Sequence, residues 1–237
     1  MKKIEQVAPR YKVRDSAETR DRLAQQEKLG LAANRLQGGD YAEAERLVRE
    51  VLRRDPKLAD GYTALALISS VRGDAQAAGD YYRKAAELAP QQGAVLNNYG
   101  AWLCANGHPA EALTWFDRAL SDPRYAAPSA ALGSAGDCAL QAGQSERGLR
   151  DLRKALEMDP ANAYALESMA RNEYAHQRYF QARAFSERRL AAAPATASVL
   201  QLAIQIELGL GDKAAASRYQ QRLGKEFPET AAVHPGG

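Results

Sequence analysis

The chain has 237 residues, 46% of them apolar and 26% charged, with a formal net charge of +3. That is a globular balance and excludes a disordered polyelectrolyte. Its 48 Ala against 8 Val, 4 Ile and 5 Thr favour helix and exclude a β-rich fold, because β-branched side chains lose rotamer freedom in a helix and Ala loses none. No apolar run approaches the roughly 18 residues of a membrane-spanning helix. Two Cys are too few for a disulfide scaffold and lack metal-site spacing.

Residues 1–28 hold eight Lys or Arg and five acids, which leaves 24 of each sign in the rest of the chain. A neutral body argues against nucleic acid, whose phosphates demand clustered Lys and Arg. Residues 1–24 read as a basic solvated arm and the start of an extended first helix, with contact to acidic headgroups as the lesser alternative. Asp15 with Glu18 three residues on marks a helix start, so the first helix extends back to Ser16 and residues 1–14 are loosely ordered.

From there the chain repeats. Pro56, Pro90, Pro123, Pro160, Pro194 and Pro228 recur every 33 to 37 residues. Gly39, Gly73, Gly107, Gly143, Gln177 and Gly211 recur every 34 to 36. Five residues after each of these comes a small residue: Ala44, Ala78, Ala112, Gly148, Ala182 or Ala216. Each unit therefore reads as helix A, a Gly turn, helix B and a Pro-bearing link. Gly supplies the left-handed turn residue, Pro ends helix B, and the small residue lets the two helices approach closely.

Candidate core residues follow the helical spacing. The first unit offers Leu31, Ala32, Ala44, Val48 and Val51, and the second Tyr62, Leu65, Ala66, Ser69, Ala78, Tyr82 and Ala85. The third has Leu96, Tyr99, Gly100, Leu103, Ala112, Phe116 and Ala119. Leu132, Ala135, Gly136, Ala139, Leu152 and Ala155 serve the fourth, with Gly133 and Gly136 as helix-packing residues. The fifth has Leu166, Met169, Ala170 and Ala182, and the sixth Leu200, Ala203, Ile204, Ala216 and Leu223.

A period near 34 is the tetratricopeptide length, and the whole resembles the tetratricopeptide repeat family. Six units cover 25–228, as 25–58, 59–92, 93–128, 129–162, 163–196 and 197–228, with 229–237 as a tail. The resemblance implies an all-α fold, a right-handed superhelical solenoid of six helix-turn-helix units whose A helices line the concave side. The link Ser121–Pro128 carries two extra residues and reads as a tolerated insertion, or as a seam dividing the array three-plus-three. No capping helix is expected after Pro228, and the polar last helix, 213–226, serves as its own cap.

No catalytic arrangement appears. His108, His176 and His234 fall in three different places, and no metalloprotease helix, phosphate loop or nucleophile elbow is present. The expectation is no enzyme, no cofactor and no metal. Cys104 and Cys138 lie on neighbouring A helices, where they read either as buried free thiols or as a disulfide suited to an oxidising compartment. What remains is surface recognition. The repeat register assigns Asn97, Ala101, Asp137, Gln141, Tyr164, Glu167, Arg171 and Tyr174 to the groove, and Tyr and Arg are typical interface anchors. The two-carboxylate clamp of chaperone-binding tetratricopeptide proteins is disfavoured, because Leu29, Thr63 and Gly133 occupy its position in units one, two and four.

The stretch Leu96-Asn97-Asn98-Tyr99-Gly100-Ala101-Trp102-Leu103-Cys104 is more distinctive. Gly107, Glu111-Ala112, Phe116, Asp122-Pro123-Arg124-Tyr125, Gly136-Asp137-Cys138, Met169-Ala170, Tyr174 and Ala182-Arg183-Ala184-Phe185 follow it. This pattern resembles the type IV pilus biogenesis and stability lipoproteins, the tetratricopeptide pilotins. The resemblance implies a bacterial, lipid-anchored protein on the periplasmic face of the outer membrane. It also implies that secretin subunits are the partner, assisted in localisation and multimerisation. Met1-Lys2-Lys3 lacks an apolar signal region and no Cys stands near Met1, so the expectation is a chain that begins after its lipid anchor. The alternative is a cytosolic adaptor that assembles an enzyme or regulatory complex.

Overall fold

In a computed structural model the described residues are 16–231. The N-terminal 15 residues, which include most of the basic arm, and the tail from 232, with His234, lie outside the described residues. Among those described there is no strand. Twelve helices of 12 to 21 residues run in pairs, followed by a four-residue helix. They are α1 (Ala17–Gln37), α2 (Tyr41–Arg54), α3 (Ala59–Val71), α4 (Ala75–Leu88), α5 (Gly93–Ala105), α6 (Pro109–Leu120), α7 (Pro128–Gln141), α8 (Ser145–Met158), α9 (Ala163–Ala175), α10 (Tyr179–Ala192), α11 (Ala197–Gly209), α12 (Lys213–Glu226) and α13 (Pro228–Ala231). The chain forms two compact units, 1–81 and 82–237, that divide within α4. The division does not fall at the extended link, 121–128.

The same turn closes every hairpin. Gly39, Gly73, Gly107, Gly143 and Gly211 have φ between 74° and 85°, and Gln177 has φ 59°. In each case the next residue's N–H reaches back five residues to the preceding helix, as from Asp40 to the Arg35 carbonyl at 2.9 Å and from Asp212 to Glu207 at 2.9 Å. This is a Schellman closure, in which a left-handed residue satisfies carbonyls that the helix end leaves open. Gln177 adopts that backbone against a steric cost of about 1 kcal/mol. Where Asp follows the Gly it also caps the next helix: Asp40, Asp74 and Asp212 accept from the backbone N–H three residues on.

In the first unit, Ala32, Ala44, Leu47, Val48, Leu65 and Ile68 form the core, with Leu29, Leu36, Leu52 and Tyr81 packed against it. Leu31 is exposed rather than buried. The α1 stripe is Leu29, Ala32 and Leu36, and a residue next to Ala32 is turned about 100° away from it. Helix α1 starts where expected, but the cap is Ser16, whose hydroxyl accepts from Thr19 N at 3.0 Å. Lys28 to Glu50 at 2.8 Å joins α1 to α2, and Arg72 to Glu45 joins α3 to α2.

In the second unit, Leu132, Leu152, Ala155, Ala165 and Met169 make a central cluster. Of the repeated small residues, Ala44, Ala78, Ala112 and Ala182 are fully buried and Ala216 nearly so. Gly148 departs from Ala for a visible reason. A Cβ on it would stand 2.9 Å from the Gly136 carbonyl, and a Cβ on Gly136 would stand 2.9 Å from the Gly148 carbonyl. Helices α7 and α8 touch backbone to backbone there, so Gly136 is the packing residue the sequence indicated, whereas Gly133 has ordinary room. Leu223 is only half-buried, and the short α13 follows α12 where none was expected.

The links are tied rather than loose. Asp122, in the extended link, accepts from Gly93 N at 2.9 Å and from Arg124 N at 2.9 Å, anchoring the link to the start of α5. Asn162 does the same for α9, accepting from Ala165 N and donating to Ser129 at the start of α7. Arg118 and Arg188 each donate at 3.1 Å to the carbonyl of a link proline, Pro90 and Pro160, while stacking on Trp115 and Phe185.

Gly136→Ala should lower stability to urea by about 1–3 kcal/mol, because the new methyl meets backbone that cannot step aside. Gly30→Ala, in α1 with open space around it, should raise stability by about 0.5–1 kcal/mol. The two amide N–H groups hold the Asp122 carboxyl below its ordinary value. A depressed folded pKa gives stability that is complete above the unfolded value of about 4 and is lost as pH falls through the folded one. Asp122→Asn should therefore be less stable than the parent at pH 7, and the gap should narrow as the pH drops below about 4 in parallel thermal melts.

Candidate functional site

The groove residues assigned from the repeat register fall into three groups. The first converges on Asp137, which is 6% exposed on α7. Its Oδ1 accepts from Ser168 Oγ at 2.8 Å and Arg171 Nη2 at 2.9 Å, and its Oδ2 from Tyr164 OH and Gln141 Nε2, both at 2.9 Å. Four donors from two successive A helices thus satisfy one buried carboxylate, as burial of a charge requires. Asp137, assigned to the groove by register, is thus buried and its acceptors are taken within the protein. Tyr164 remains about half exposed, and burial, with the Asp137 charge second, raises its phenol above the ordinary tyrosine range.

The second group lines a cleft between α9 and α11. Glu167, Arg171 and Tyr174 form one wall, and Ser198, Gln201, Leu202 and Gln205 the other, around about 370 Å³. Glu167 is braced from behind by Arg189 at 3.4 Å, itself 7% exposed and donating to the Ala193 and Pro194 carbonyls. The α11 wall was not among the residues singled out from the sequence, although the signal was there. Ser198, Gln201 and Gln205 stand 34 residues after Tyr164, Glu167 and Arg171, so the same register carried one repeat further reaches them.

Asn97 and Ala101 form the third group. They are half-buried on α5 and neither bonds to Asp137 nor lines the cleft. The Asn97 Oδ1 is buried without a hydrogen-bond partner among the described residues.

Cys104 on α5 and Cys138 on α7 are joined in a disulfide with Cα atoms 5.9 Å apart, within the usual bridging range. The bridge closes a loop of 34 residues and contributes about 2–4 kcal/mol in the chain-entropy account. His108 precedes α6 and His176 caps the end of α9. Among the described residues no three His, Cys, Asp or Glu side chains gather as a metal site. None of the helices described is long and apolar enough to cross a membrane.

The tetratricopeptide repeat family model matches residues 59–92 and 129–162, the second and fourth hairpins. The type IV pilus assembly protein PilF of Pseudomonas aeruginosa is 28% identical over 211 residues, covering 89% of this chain and 82% of that protein. The crystal structure of PilW, described as a widely conserved type IV pilus biogenesis factor, superposes with a TM-score of 0.78 at 28% identity. It covers 89% of this chain and 97% of PilW. A structure of Pseudomonas aeruginosa PilF gives 0.74 at 25% identity over 90% of this chain and 99% of that one. The chain carries tetratricopeptide repeats and is related to type IV pilus biogenesis factors. Its all-helical hairpins match theirs along nearly their whole length.

Asp137→Ala would leave Ser168, which is 1% exposed, without its acceptor and would release Tyr164, Arg171 and Gln141 together. A loss of about 2–4 kcal/mol is expected in urea unfolding, and the Tyr164 phenol should titrate lower in an NMR pH series once the neighbouring charge is gone.

Proposed function

We propose that the protein is a non-catalytic scaffold that docks a segment of the type IV pilus secretin and assists its localisation and multimerisation at the outer membrane. A lipid anchor N-terminal to the helical array would hold it on the periplasmic face. The observation that carries the reading is the cleft between α9 and α11, in a protein related to pilus biogenesis factors. Its walls pair Arg171, held by Asp137, and Tyr174 with the amides of Gln201 and Gln205. Aromatic and Arg anchors fixed by internal bonds lose little freedom on binding, and side-chain amides match the donors and acceptors of an extended backbone. The Cys104–Cys138 bridge favours an oxidising envelope compartment over the reducing cytosol in which an adaptor would work.

The test joins affinity to phenotype. Replacing Tyr164 and Tyr174 together by Ala should weaken binding to the purified periplasmic region of the secretin by more than about 1 kcal/mol. It should also deplete heat-resistant secretin multimers from the outer membrane. Unchanged affinity would move the interface off α9. Normal multimers in cells lacking the gene would remove the secretin role altogether.

A further inference from the structure

The first compact unit carries a second cleft whose chemistry differs from the groove. Arg49, Leu52 and Arg53 of α2, Tyr62 and Leu65 of α3, and Tyr81 of α4 surround about 290 Å³. Leu65 is buried and Leu52 packs on the core, so the floor is apolar. The Tyr62 and Tyr81 rings form tilted walls with centroids 6.4 Å apart.

The polar groups at the rim have unequal freedom. Arg49 pairs with Glu45 at 2.7 Å, a carboxylate it shares with Arg72, and lies within 3.5 Å of the Tyr81 hydroxyl, as donor to it. Tyr81 OH, as the acceptor in that contact, keeps its own proton to give. Tyr62 OH has already donated to the Pro56 carbonyl at 3.1 Å. Arg53 is exposed and has no ion-pair or hydrogen-bond partner among the described residues. Glu50, one turn before it, is held by Lys28 and Arg46 and attracts Arg53 only at longer range. The cleft therefore presents the guanidinium of Arg53 without a close ion pair, that of Arg49 sharing its carboxylate, and one free phenol proton above an apolar floor.

We infer that this cleft binds a carboxylate side chain of an acidic protein segment, with a neighbouring aliphatic side chain seated on Leu52 and Leu65 between the two tyrosines. The guanidinium of Arg53 and the Tyr81 hydroxyl offer the N–H and O–H donors that a planar carboxylate accepts. The flanking phenols and leucines match an aliphatic neighbour. Arg and Tyr around a small apolar floor are the composition of an interface anchor point.

The probe is the peptide acetyl-Ala-Leu-Glu-Leu-Ala-amide, titrated into the isotope-labelled full chain and followed by NMR at the Arg53 Nε–H and the Tyr81 ring. The isosteric peptide with Gln in place of Glu is the control. Binding of the Glu peptide should be at least threefold tighter than that of the Gln peptide. Arg53→Gln and Tyr81→Phe should each remove most of that preference without changing the thermal melt, and Tyr81→Phe should leave the Gln peptide unaffected. A preference below threefold, or one that survives Arg53→Gln, would overturn the proposal. So would inorganic phosphate shifting the same resonances at equal or lower concentration, which would make the cleft a phosphate site.

Discussion

Two helices of thirteen or fourteen residues lie side by side only if the chain reverses within three residues, and that reversal rests on one left-handed backbone position. All six hairpins have it, five with Gly and one with Gln177. Once the turn is set, its register decides which residues of the two helices meet. The small residue five positions later is then buried in every unit, at Ala44, Ala78, Ala112, Gly148, Ala182 and Ala216. The turn and the close contact form one constraint, because a larger residue at the contact would force the helices apart and spoil the reach of the closing hydrogen bonds. Unit four shows how far this goes. Both partners there are Gly, and the backbones of α7 and α8 touch.

That dependence explains what could be read from the sequence. A left-handed turn and a buried methyl have strong residue preferences at fixed spacing, so the helices and most of the core were legible from period alone. Leu31 was not, because its neighbour Ala32 satisfies the same pattern and only packing against Leu47, Val48 and Ile68 decides which one turns inward. The division of the chain within α4 also left no mark, since an uninterrupted helix runs through it. The two-residue insertion at 121–128 looked like a seam but is bound to α5 through Asp122, a bond between residues 29 apart that no local pattern announces.

The groove shows the same limit at the level of chemistry. Register places Asp137 and Arg171 at equivalent positions of successive helices, and equivalent positions in a stack are neighbours. Their residue types then decide the outcome. A carboxylate one repeat before a guanidinium makes an intramolecular bond, and Tyr164, Ser168 and Gln141 add to it until Asp137 is no longer available to a partner. One repeat further, Arg171 is followed by Gln205, which is uncharged and leaves the cleft open. Occupancy of the groove thus depends on the order of residue types down one column of the repeat.

Rigidity at that point has a second source. Cys138 directly follows Asp137 on α7, and its bridge to Cys104 ties the same turn of helix to α5. The carboxylate is therefore held from three elements, by a covalent bond through its neighbour to α5, by its own backbone in α7, and by four hydrogen bonds of which three come from α9. Arg171, in the wall of the cleft, and the half-exposed Tyr164 inherit that restraint, since each bonds to Asp137. A partner meeting these side chains meets groups already ordered, and the free energy of ordering them has been supplied by folding, not by binding.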